Sequence, residues 1–135
     1  MVDIAPLLAM GKALAADAIR TGGTRVRFET RVTTTDPETL EPTTDTDTLG
    51  EYPGLVTSAS DGGNAQPLPG VEVRPWDWKV TLLPATPPPP VGAWAVVTRS
   101  RDPHLPGMDA QVLGHTVTSA GAVLAVYARP GGVAS

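Results

Sequence analysis

The sequence predicts a mainly β protein, a small antiparallel β-barrel or sandwich with one N-terminal α-helix and long loops. Three observations lead there. The last third alternates short apolar runs with proline and glycine punctuation, from Val80-Thr81-Leu82-Leu83-Pro84 through the Pro87–Pro90 run to Val91-Gly92-Ala93-Trp94-Ala95-Val96-Val97 and Val112-Leu113-Gly114. Residues 24–35 switch sides with a period of two. A helical period occurs only once, at the N-terminus. Five or six antiparallel strands without an internal repeat favour a closed or double-layered sheet, because closure removes exposed edges.

The helix is predicted over residues 3–20, with Asp3 as N-cap, Pro6 in the first turn, where a missing N–H does no harm, and Thr21-Gly22-Gly23 as the stop. Ile4, Leu7, Leu8, Leu14, Ala15, Ala18 and Ile19 share a face, which must be covered by the barrel or by a neighbouring subunit. Lys12, Asp17 and Arg20 lie off that face. The first strand, 24–35, places Val26, Phe28, Thr30 and Val32 on one side and Arg25, Arg27, Glu29 and Arg31 on the other, as a half-exposed strand does.

Residues 36–69 read as two excursions. The first, from Asp36-Pro37 to Gly50, is rich in Thr, Pro and acids and forms a long loop or an extended hairpin tip. The second, Ser58 to Pro69, is small and polar, and Leu55-Val56-Thr57 between them is a thin strand. The longest strand is expected over 70–83, with Val71 and Val73 on one parity and Trp76, Trp78, Val80 and Leu82 on the other. Pro75 marks the phase slip, as at a bulge or an edge. Strands at 94–99, 110–118 and 122–129 follow, the last two joined by a tight turn over Thr118–Gly121. The tail from Gly131 to Ser135 is expected to fray.

At 135 residues the chain makes one domain, 1–135, able to bury roughly two thirds of its unfolded surface. Apolar residues make up 41% against 4% aromatic, and 14 Gly with 15 Pro supply turns, so the core is modest and built of small side chains. The absence of cysteine removes disulfides and thiol chemistry and suits a reducing cytoplasm. No basic region followed by an apolar core opens the chain, and no apolar run approaches the roughly 20 residues that cross a bilayer, so a soluble, non-membrane protein outside the signal-peptide route is expected.

Charge is distributed more tellingly than its sum of -4 suggests. From Val32 to Val73 there is no Lys or Arg, while Asp36, Glu38, Glu41, Asp45, Asp47, Glu51, Asp61 and Glu72 all lie there. Phosphate binding depends on cations that displace counterions, so this stretch repels a duplex. A solvated excursion of this length is uncommon without a use, which makes Asp36, Glu38, Glu41, Asp45, Asp47 and Glu51 candidates for a loop that meets a partner or lines a channel.

Catalytic chemistry finds no support. His104 lies in Asp102-Pro103-His104-Leu105-Pro106-Gly107, where Asp102 serves the turn, and neither His104 nor His115 has a positioned acid–base partner or a metal-ligand spacing. Ser58, Ser60, Ser100 and Ser119 sit in turns without a nucleophile elbow. No enzyme activity, cofactor or metal is therefore expected. An alternative of another class is a small β-barrel binding module for nucleic acid or a small ligand, with Trp76, Trp78 and Trp94 as stacking platforms. The acidic balance opposes the nucleic-acid version.

The Leu- and Ala-rich helix ending at Gly22-Gly23, the strand followed by Asp36-Pro37, Leu82-Leu83-Pro84, Val91-Gly92-Ala93-Trp94-Ala95-Val96, Asp102-Pro103-x-Leu105-x-Gly107 and the closing hairpin together resemble head-to-tail connector proteins of long-tailed actinobacteriophages, the head-closure or stopper proteins of the neck. The resemblance covers most of the chain through short structural motifs. It implies a homo-oligomeric ring, a dodecamer, between the portal and adaptor rings on one side and the tail terminator on the other. Viral DNA would pass through it without sequence-specific binding. It further implies a virion protein assembled in the host bacterial cytoplasm, a barrel that builds the ring wall, and an acidic loop facing the lumen or an adjoining ring. Ring closure through two different patches makes Leu7 and Leu14 on the helix and Trp76 and Trp78 on the barrel the candidate subunit interface.

Overall fold

Apolar side chains from six segments must be removed from water, and the chain buries them against one another by rolling the sheet closed. The structure, a computed structural model, describes residues 5–59, 68–117 and 122–132, with helix side chains from Ala13 onward. Helix α1 (Ala5–Thr21) precedes β1 (Arg25–Thr35), β2 (Pro42–Ser58), β3 (Trp78–Leu82), β4 (Trp94–Arg99), β5 (Asp109–Val117) and β6 (Leu124–Pro130). Neighbours run β1-β2-β3-β6-β5-β4, and β4 returns to β1 to close a barrel with every pair antiparallel.

The interior is filled by Val26, Phe28, Trp78, Val80, Leu82, Ala95, Val97, Val112, Leu124 and Val126 with smaller alanines. A six-stranded barrel is narrow, so Val and Ala suit its lumen better than rings; among the described residues Phe28 and Trp78 are its buried large aromatics, with the partly buried Tyr52 packed against this core. A second apolar cluster lies outside the wall. Leu68, Leu113, Ala125 and Tyr127 pack there with Val71 and Val73. Covered on both sides, Leu124 to Ala128 are all buried, which explains a continuous apolar run where alternation would otherwise be expected. The register shift between Val112 and Gly114 inserts Leu113 as an extra residue, directing Val112 inward and Leu113 outward. At Gly114 a Cβ would stand 2.9 Å from Leu68 Cδ1, so a side chain there would force the Leu68 side chain to shift.

Several expectations are corrected. The strand expected over 70–83 is confined to Trp78–Leu82. Upstream, Arg74 to Asp77 make a turn, with the Asp77 amide donating to the Arg74 carbonyl at 3.0 Å, and Val71 and Val73 join the outer cluster instead of a ladder. The stretch expected to loop over 36–69 contains the longest strand among the described residues, the 17-residue β2. Its first half escapes a pattern search because both faces are exposed, leaving no hydrophobic period, although its threonines favour extended backbone. The Asp3 cap, Ile4, Ser60, Asp61 and most of the second excursion, the Thr118–Gly121 turn, and the last three residues of the expected frayed tail lie outside the described residues.

The helix meets the barrel at its C-terminal end. Ile19 is 1% exposed, whereas Leu14 is 65% exposed, so the expected apolar face is covered there only in part. The terminus is closed by the Gly22 amide on the Ala18 carbonyl (3.0 Å), the Thr21 hydroxyl on the Asp17 carbonyl (2.7 Å) and the Arg101 guanidinium on the Thr21 carbonyl (2.9 Å). Gly23 follows at φ +78, the left-handed step that lets the chain turn into β1.

Candidate functional site

Strand β1 pairs with β4 only from Arg25 to Glu29, and β2 pairs with β3 only from Gly54 to Ser58. Between those limits, among the described residues, β1 and β2 pair with each other alone, from Thr30↔Asp47 to Thr35↔Pro42. The two strands therefore leave the barrel as a two-stranded arm. At ~3.3 Å per residue it extends roughly 20 Å beyond Glu29, before the turn is added. Every residue from Val32 to Leu49 is exposed. The expected acidic loop is thus the outer strand and tip of a hairpin arm.

Pairing assigns the arm two faces. One carries Thr30, Val32 and Thr34 opposite Asp47, Asp45 and Thr43; the other carries Thr33 and Thr35 opposite Thr44 and Pro42, with Thr33 and Thr44 hydroxyls 3.1 Å apart. Nine threonines between residues 30 and 49 give the backbone its extended preference where packing supplies none. The tip is tightly organised. The Asp36 carboxylate accepts from the Glu38 amide (2.8 Å), the Asp36 carbonyl from the Leu40 amide (2.8 Å), and the Glu41 carbonyl from the Asp36 amide (3.1 Å). This turn presents Leu40, 74% exposed, at φ +59, a left-handed conformation that costs a leucine roughly 1–2 kcal/mol.

Arg31 fixes the arm's base. Its guanidinium lies 4.5 Å from the centroid of Trp94 and bonds Asp109 Oδ2 (2.8 Å) and Glu29 Oε1 (3.1 Å). Partial burial on its own would lower the Arg31 pKa, but the hydrogen bonds and charges of Asp109 and Glu29 raise it. Glu29, 4% exposed, is the buried carboxylate that holds both Arg31 and Arg27. Arm and barrel wall are thereby braced where their pairing diverges.

Of the six acids proposed for the loop, Asp36, Glu38 and Glu41 lie at the tip and Asp45 and Asp47 on one face of the arm. Glu51 does not belong with them. It lies on the barrel wall, 3.2 Å from Arg25 Nε, and the Thr98 hydroxyl together with the Arg25 guanidinium holds its carboxyl below the usual carboxylate range. Arg25, Glu51, Thr98 and Arg99 border an open polar groove of about 490 Å³ at the helix end of β1. The alternation of Arg25, Arg27, Glu29 and Arg31 announces a charged outer face, but not that Arg99 converges on it, which depends on the bulge between Arg25 and Val26 in the β1–β4 pairing.

The tryptophans are dispersed. Trp78 is in the core, Trp94 lies beneath Arg31, and Trp76, 62% exposed, has the Arg74 guanidinium 5.4 Å from its ring centre. They form no shared stacking platform, and of the proposed interface pair only Trp76 offers most of its ring to a neighbour. Leu14 is open, and the side chain of Leu7 lies outside the described residues. A recess of about 260 Å³ opens between Phe28, Leu49, Tyr52 and Pro87–Pro90.

The remaining polar candidates serve the backbone. Asp102 accepts from the His104 amide at 2.9 Å, Ser100 Oγ from the Asp102 amide at 3.1 Å, and Ser58 Oγ donates to the Pro75 carbonyl. His104 and His115 are both exposed. Among the described residues no three of His, Asp and Glu converge as a metal site. No described helix is long and apolar enough to cross a membrane.

A network absent from the sequence reading surrounds Asp77, which is fully buried. Its carboxylate receives Arg129 Nε and Nη2, each at 3.1 Å, and the Arg74 amide at 2.8 Å, while Arg129 Nη2 also reaches the Glu72 carbonyl. The hydrogen bonds that Arg129 donates to Asp77 raise its pKa against the effect of burial. This pin holds the covering segment 68–77 on β6. No family model matches the chain, and comparison with curated proteins and with solved structures finds no match to it.

Proposed function

We propose that this chain is a structural virion protein of a phage neck, forming a ring between the portal and adaptor and the tail that closes the filled head and joins it to the tail. The arm carries this reading. An isolated two-stranded hairpin is marginal in water, since independent stability needs a third strand or a packed face. An arm with both faces and both edges open, yet braced at its base by Arg31, suits a part whose partner comes from another molecule. In the ring the barrel forms the wall, and the dodecamer follows from the family resemblance described above. The net acidity of the arm also suits a conduit for DNA, because it does not grip phosphate.

Imaging of intact particles by cryo-electron microscopy tests the assignment, together with a deletion of the coding sequence. The expected result is density for this fold between head and tail, and a deletion phenotype of separate filled or leaking heads and free tails. Normal tailed particles assembled without the chain would overturn it. The second reading, a barrel that binds a small ligand, rests on the recess at Phe28, Leu49, Tyr52 and Pro87–Pro90. A saturable change in Trp fluorescence that Tyr52→Ala abolishes would favour it. The nucleic-acid form of that reading requires a steep salt dependence of binding.

A further inference from the structure

We infer that the acidic arm tip of one copy seats in the Arg25–Arg99 groove of the next, so that the chain associates with itself head to tail. This deepens the ring assignment by naming the two surfaces that meet. Tip and groove lie at opposite ends of one strand: Arg25 opens β1 and Thr35 ends it, about 33 Å apart at ~3.3 Å per residue. The tip at the far end of that paired strand lies well away from its own groove. Only a second molecule brings the two together.

Charge makes the surfaces complementary. The arm from Thr30 to Leu49 carries Asp36, Glu38, Glu41, Asp45 and Asp47, and its one cation, Arg31, is already committed to Glu29 and Asp109. The groove presents two guanidiniums with Glu51 as its one acid. Arg25 is shared with Glu51 and Arg99 is exposed, so the groove retains positive charge for an incoming carboxylate. The tip is preorganised by Asp36, which lowers the entropy lost on docking, and it holds Leu40 outward in a backbone conformation that glycine or asparagine would adopt at less cost. Two different patches on each subunit make the contact heterologous, the kind that closes into a ring when the rotation allows.

Charge reversal tests this directly. One variant carries Asp36→Lys, Glu38→Lys and Glu41→Lys; the other carries Arg25→Glu and Arg99→Glu. Sedimentation velocity at low and moderate salt is expected to show self-association of the unaltered chain, weakened by salt, and at least about tenfold weaker association of each variant alone. An equimolar mixture should regain it, because the lysine tip fits the glutamate groove and the glutamate variant's own tip fits the unaltered groove. The tip makes no core contact, and circular dichroism checks that each variant is folded; if the double groove variant unfolds, Arg99→Glu alone replaces it. Association unaffected by either reversal, a mixture that stays monomeric, or an unaltered chain that is monomeric at every soluble concentration would overturn the inference. Particles that contain the protein in the neck while their assembly ignores the reversals would remove this contact and leave the neck assignment standing.

Discussion

Asp77→Ala should destabilise the fold by about 3 kcal/mol, through loss of the pin between the covering segment and β6. The carboxylate is wholly buried and engaged on both oxygens, by two guanidinium nitrogens and a backbone amide. Removing one member of a buried ion pair typically costs about 3–5 kcal/mol, because the other charge is left without its counterion. The low end applies here, since Arg129 keeps some solvent contact and its bond to the Glu72 carbonyl. At about 3 °C per kcal/mol for a chain of this length, Tm should fall by about 10 °C. Arg129→Met should cost at least as much, because it strands the fully buried carboxylate. The double substitution Asp77→Leu, Arg129→Met should cost much less than the sum, since no buried charge remains. Urea unfolding followed by Trp fluorescence measures all three. A loss below about 1 kcal/mol for Asp77→Ala, or strict additivity in the double variant, would refute the pin.

Replacing residues 33–44 by a two-residue Asn-Gly turn should leave the barrel's Tm nearly unchanged in calorimetry, because no residue from Val32 to Leu49 is buried. Phe28→Ala empties the largest fully buried side chain and should cost about 3–5 kcal/mol in denaturant unfolding. Glu51→Gln should alter acid sensitivity. The folded carboxyl titrates below its free value of 4.5, so its contribution is present above that pH and is lost as pH falls through the folded value. The stability difference between the Gln variant and the unaltered chain should therefore shrink on acidification below pH 4.5, and added salt should reduce it because the pair is exposed.

The helix and the strand that begins at Arg25 were legible from a local period, with apolar residues every three to four positions in α1 and every second position in Val26 and Phe28, whereas the strands near 94–99, 110–118 and 122–129 were legible as short apolar runs between turn signals. The acidity of 36–51 was legible too, as composition. Its sequence fits both a long loop and an extended hairpin tip, because a ribbon with two exposed faces carries no hydrophobic period, and only the pairing of Thr30–Thr35 with Pro42–Asp47 decides for the hairpin. The same holds for the groove and the pin. Arg25 and Arg99, or Asp77 and Arg129, are separated by most of the barrel in sequence and meet because β1 closes on β4 and the covering segment lies against β6. Local propensity is a property of neighbouring residues and can be read along the chain. Convergence of charges depends on strand order, bulges and register, which are decided only when the sheet closes.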